Sequence, residues 1–101
     1  MSVLVTVKMN GDVDTFRRAL SERSGEFVKI SSRGRESGAV HHQFGIGDGY
    51  VLVVDEWDSA EQFQAFFSDP ELQQFIGEVG GDTSAPPEIT VVEAVASADK
   101  F

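Results

Sequence analysis

His41 and His42 stand side by side and are the only histidines in this 101-residue chain. An imidazole takes up and returns a proton near neutral pH, which suits it to general base work. Asp55 and Glu56 are also adjacent, and they run directly into the single tryptophan, Trp57. A carboxylate buried beside that indole could act as acid or base. Left at a strand's end in water, it would be an ordinary surface group. Phe44, Phe63, Phe66 and Phe67 supply flat apolar surfaces of the kind that line ligand pockets, and Tyr50, the only tyrosine, offers a hydroxyl donor. Aromatic residues at helical spacing also make plain core, and a half-buried histidine on a strand needs only backbone or water as partner. From the residues alone both readings stand.

Neighbours on a strand point to opposite faces of the sheet. Whichever register holds, one histidine and one of the two carboxylates face any covering helices, and their neighbours face away. Two ligands on opposite faces cannot grip one ion, and the chain has no cysteine, so no metal site is expected.

The elements that must position these groups are legible from periodicity. Val3, Val5, Val7 and Met9 alternate with Leu4, Thr6 and Lys8, a strand with one strongly apolar face. Asn10-Gly11-Asp12 is a turn, with Asp12 placed to cap a helix carrying Val13, Phe16, Leu20, Phe27 and Ile30 at near-helical spacing. Gly25 predicts a weak point in that helix, and Ser31-Ser32-Arg33-Gly34 its end. A second strand is expected over Ala39 to Phe44, then a glycine-rich hairpin turn through Gly49 and a third strand from Tyr50 to Trp57. Asp58 with Glu61 reads as a capping box for a second helix bearing Phe63, Phe66 and Phe67. Asp69-Pro70 restarts that helix, Gly80-Gly81 ends it, and Ile89 to Ala96 forms the last strand. The glycines between Gly45 and Gly49 lead into a strand rather than opening a helix, so they are no nucleotide-binding fingerprint.

The order β-α-β-β-α-β predicts an α+β, ferredoxin-like domain spanning residues 1–101, with 97–101 a tail. Two helices would cover one face of a four-stranded antiparallel sheet. Yet both faces carry apolar residues, Leu4 opposite Val3, Leu52 opposite Val51 and Val92 opposite Val91, so the uncovered one is apolar as well. Exposing such a face is unfavourable by about 25 cal/mol per Å². The simplest cover is a second copy packed sheet to sheet, so a homodimer is expected.

Seventeen acidic residues against eight basic ones give a net charge of −9. That balance argues against nucleic acid, whose phosphates demand clustered Lys and Arg. No apolar run reaches the roughly 20 residues of a membrane span, and Ser2 to Met9 is too short and interrupted for a signal peptide. A cytoplasmic protein is the expectation.

With that element order, and with Asp55-Glu56-Trp57 leading into a capped helix, the chain resembles the dimeric α/β-barrel superfamily. Within it, the chain is most similar to the antibiotic-biosynthesis-monooxygenase-like branch. The resemblance covers residues 2–96. It rests on the acidic-Trp end of the third strand, Ser59 to Phe67, the Asp69-Pro70 restart and the proline before the last strand. It implies cofactor-free monooxygenation of small aromatic or quinone-like molecules, although haem-degrading enzymes and stress-response proteins share the fold. Monooxygenases of this type commonly carry a histidine midway along the second helix and another just after its proline. Here those positions hold Phe66 and Glu71, and no histidine lies between Ser59 and Val79, so the usual haem ligand is missing.

The expected site therefore uses His42 or His41 as base, with Asp55 or Glu56 nearby. Trp57, Phe44, Phe63, Phe66, Phe67 and Tyr50 shape an aromatic-ligand pocket, and no motif calls for a metal or cofactor. The alternative is a non-catalytic binding or stress-associated dimer whose cavity is packed shut. A cavity beside Trp57, with a histidine or carboxylate turned into it, separates the two.

Overall fold

β1 (Val3–Asn10) is the strand around which the sheet is built, and the computed structural model describes all residues, 1–101. β1 pairs antiparallel with β3 (Tyr50–Trp57) on one side and with β4 (Glu88–Glu93) on the other, while β2 (Ala39–Ile46) forms the edge beyond β3. The order β2-β3-β1-β4 is the ferredoxin-like arrangement expected from the sequence. The last strand is shorter than its apolar pattern suggested, ending at Glu93 rather than Ala96.

The helices cover one face only. Val5 and Val7 of β1 and Val51, Val53, Asp55 and Trp57 of β3 are buried on that side. On the other side Leu4 is 45% exposed and Val92 50%. The strand alternation that makes one face core thus leaves a second apolar set uncovered by its own chain.

Each expected helix is two. α1 (Val13–Glu22) is capped by Asp12, whose carboxylate accepts the backbone N–H of Asp14 and of Thr15. The break comes at Arg23, with φ −121°, and not at Gly25, which lies inside α2 (Ser24–Glu36). The break recruits Arg23 as the first residue before α2, and its guanidinium bonds both oxygens of Glu26 one turn on. Nor does α2 end at Gly34. It runs a further half-turn and stops where Gly38 takes φ +120°, a value that other residues resist.

Ser59, not Asp58, caps α3 (Ala60–Phe67): its hydroxyl accepts the Gln62 N–H, and Gln62 stands where the capping box expected Glu61. α4 (Pro70–Glu78) starts as predicted, with Asp69 accepting the Glu71 N–H and proline in the first turn, and Gly80 at φ +108° turns the chain out of it.

Two apolar clusters join the layers. Val5, Val7, Val53, Trp57 and Phe63 form one. Phe16, Ala19, Val51, Phe75 and Val79 form the other. Phe16, Phe27, Phe44 and Phe75 meet edge to face at 5.0 to 5.8 Å, the geometry that aromatic quadrupoles favour.

Candidate active site

The pairing of β2 with β3 decides which histidine meets which carboxylate. Ala39 stands opposite Trp57, but the next rung joins His41 to Glu56, so Val40 is an extra residue bulged out of the ladder. Without it, a regular ladder would set His41 opposite Asp55. With it, His42 takes that place and points, like Asp55, toward the helices. The sequence establishes that one histidine faces each way; the bulge determines which.

His42 Nδ1 lies 2.7 Å from Asp55 Oδ1, and Trp57 Nε1 donates to Asp55 Oδ2 at 3.0 Å. An ionised carboxylate can only accept, so a neutral His42 on this contact donates from Nδ1 and keeps the Nε2 lone pair free. Asp55 is 7% exposed and Trp57 2%, whereas the His42 side chain retains 35%. Both Asp55 oxygens thus have partners, which meets the demand that a buried charge be paired. Of the two readings of this carboxylate, the structure shows the buried one. Phe44 sets an edge against the His42 ring, centroids 4.7 Å apart, and holds it from the side.

These groups border a cavity of about 270 Å³ between the sheet and the helices, at the small end of the range for ligand sites. Trp57, Phe44, Phe63, Phe66 and Phe67 all line it, as the sequence suggested. Phe66 tilts against Trp57 at 5.3 Å and Phe67 stacks on Phe63 at 5.5 Å, so these rings wall the space without filling it.

Three of the nominated residues are placed otherwise. Tyr50 belongs to the uncovered face, with Lys8 Nζ 4.4 Å from its ring centroid, and it does not border the cavity. Glu56 is on that same face and accepts the Ser2 hydroxyl at 2.7 Å. His41 borders the cavity but pairs with Glu56, in the set that alternates away from the helices. Strand parity accounts for all three.

The opposite wall was less legible. Phe27, Ile30, Ser31, Gly34 and Arg35 of α2 line the cavity. The stripe from Phe27 through Ile30 continues through Gly34, whose lack of a side chain leaves room for the Phe66 ring: a Cβ there would sit 3.5 Å from it. A glycine on an apolar helical stripe is the signal that would have found this wall. Ion pairs join α2 to α4 at both ends. Arg23 meets Glu78 at 2.9 Å, and Arg33 meets Asp69 at 2.6 Å. The two helices therefore run antiparallel, with the cavity beneath them. No three His, Cys, Asp or Glu side chains gather anywhere in the manner of a metal site, and no helix is long and apolar enough to cross a membrane.

The fold has solved counterparts. A monooxygenase from the gene ActVA-Orf6 of Streptomyces coelicolor, in complex with the ligand nanaomycin D, superimposes with a TM-score of 0.68 at 17% identity, over 99% of this chain and 93% of that one. The shared fold is the ferredoxin-like α+β arrangement. SnoaB, a cofactor-independent oxygenase from Streptomyces nogalater, matches with a TM-score of 0.64 at 11% identity, over 98% of both chains. A dimeric ferredoxin-like protein from an uncultured marine organism matches with a TM-score of 0.64 at 16% identity, over 99% of this chain and 93% of that one. No family model matches this chain, and no curated protein matches its sequence.

Proposed function

We propose that this chain is a cofactor-independent monooxygenase acting on a small aromatic or quinone-like molecule held in the cavity, with His42 as general base. The observation that carries the proposal is the bond from His42 Nδ1 to the buried Asp55, which leaves Nε2 free at the edge of an aromatic-walled space. The oxygenase neighbours of like fold lend support.

An anthrone-type substrate shows how the chemistry balances. Nε2 takes a proton from the activated carbon, and Asp55 stabilises the imidazolium so formed. The carbanion adds dioxygen to give a peroxide anion, which recovers the proton from His42 as a hydroperoxide. Loss of water then leaves a carbonyl, so one oxygen atom enters the product and the other leaves as water. The walls of Trp57, Phe63 and Phe66 orient the ring system and exclude bulk water.

The active form in this reading is a homodimer joined through the apolar set Leu4, Leu52, Val54 and Val92, of which Leu4, Val54 and Val92 are exposed. The dimeric ferredoxin-like neighbour supports that assembly. Phe66 and Glu71, where such enzymes commonly carry histidines, favour a second reading in which the cavity binds a ligand without turning it over.

Following product formation from an anthrone under air separates the two. The first reading expects turnover by the wild type and its loss in His42→Ala. Tight binding with no turnover by the wild type overturns it and leaves the second.

A further inference from the structure

Arg35 sits in the last turn of α2 and borders the cavity, yet unlike Arg23 and Arg33 of the same region it makes no ion pair. Ser31 stands four residues earlier, on the same face of the helix, and borders the cavity too. The other ionised groups of the lining are engaged: Asp12 caps α1, and Asp55 is shared between His42 and Trp57. A mostly apolar space is thus left with one uncommitted positive charge, on a side chain that also reaches solvent, and a hydroxyl one turn away. In a chain of net charge −9, that placement runs against the general field and would attract an anion only locally.

We infer that the ligand is an aromatic acid, with its carboxylate held by the Arg35 guanidinium and the Ser31 hydroxyl while its rings lie among Trp57, Phe63 and Phe66. A planar guanidinium matches a carboxylate with two parallel hydrogen bonds. The short link through Gly38 joins the end of α2 to the start of β2, where Ala39 and His42 line the same cavity. The anchoring group and the base therefore flank one region, and the carboxylate end would fix which ring carbon meets His42. This rests on the cavity being a ligand site, and on nothing about turnover.

The test is binding, read by quenching of Trp57 fluorescence, of an anthraquinone carboxylate and of its neutral hydroxymethyl analogue. Wild-type protein should bind the acid at least about ten-fold more tightly, a gap of roughly 1.4 kcal/mol. Arg35→Ala should abolish that preference, Arg35→Lys should restore part of it, and Arg33→Ala should leave it intact. Equal affinity of the two ligands for the wild type, or a preference that survives Arg35→Ala, overturns the inference. A wild-type protein that selects the acid but never oxidises a substrate would refute the monooxygenase reading and leave this one standing.

Discussion

His42 reaches Asp55 across a rung of the β2–β3 ladder only because Val40 is bulged out of it. The bond of 2.7 Å between them is a product of register, and register here depends on one residue. Deleting Val40 should therefore be tolerated: it restores a regular ladder while keeping Ala39 opposite Trp57 and His42 opposite Asp55. The deletion variant should fold and retain ligand turnover. A folded but inactive deletion variant would show that the bulge shapes the site beyond choosing its histidine.

Asp55 serves two donors, and its replacements should separate its roles. Asp55→Ala strands the Trp57 indole N–H in the core, where an unpaired donor costs about 1–3 kcal/mol. Thermal unfolding should register that loss. Asp55→Asn keeps the shape but removes the charge that stabilises a protonated His42, so turnover should fall by roughly a hundred-fold or more while the fold survives. Retention of full activity in Asp55→Asn would remove the pair from the mechanism.

Gly34 offers a way to alter the cavity while keeping the backbone. Alanine there suits a helix interior better by about 0.5–1 kcal/mol, and its methyl would meet the Phe66 ring at an ordinary 3.5 Å. Gly34→Ala should raise the melting temperature. Gly34→Leu should project into the cavity and weaken ligand binding by ten-fold or more; unchanged affinity would place the ligand elsewhere.

Stability should fall in acid. The Thr15 backbone N–H holds the Asp12 carboxyl below its ordinary value, and the hydrogen bond from Arg23 does the same for Glu26. Both groups bind protons less readily folded than unfolded, so their contribution is complete above the ordinary values of 3.8 and 4.5 and is lost as pH drops through and below them. Urea midpoints should decline below about pH 5. In Asp12→Asn the decline should be shallower; an identical slope would deny the cap its part.

The assembly can be tested on the uncovered face. Val54→Lys places a charge amid Leu4, Leu52 and Val92 and should convert a dimer into a monomer in sedimentation analysis. A wild type that is monomeric at micromolar concentration would refute the proposed pairing of sheets.

Much of this was legible in the sequence, for identifiable reasons. Strand parity gave the sheet and its two apolar faces, and the Asp12 cap follows from side-chain chemistry that acts within three residues. What escaped were choices between near-equal local options. Ser59 and Asp58 both make good caps, and the chain uses the one that lets Gln62 close the turn. Gly34 looked like an end because glycine usually is one, yet here it yields space to Phe66 across the cavity. The identity of the inward histidine depends on a bulge that no periodicity reports. Tyr50 and Glu56 followed from the same parity once the register was known.

The central claim is that His42 takes a proton from a cavity-bound substrate. Under nitrogen, with oxidation blocked, an anthrone in deuterated buffer should exchange its methylene hydrogens faster with wild-type protein than with buffer alone, as followed by proton NMR. His42→Ala should reduce that exchange to the buffer rate while still binding the ligand. Exchange by His42→Ala at the wild-type rate, or none above buffer by the wild type, would contradict the account.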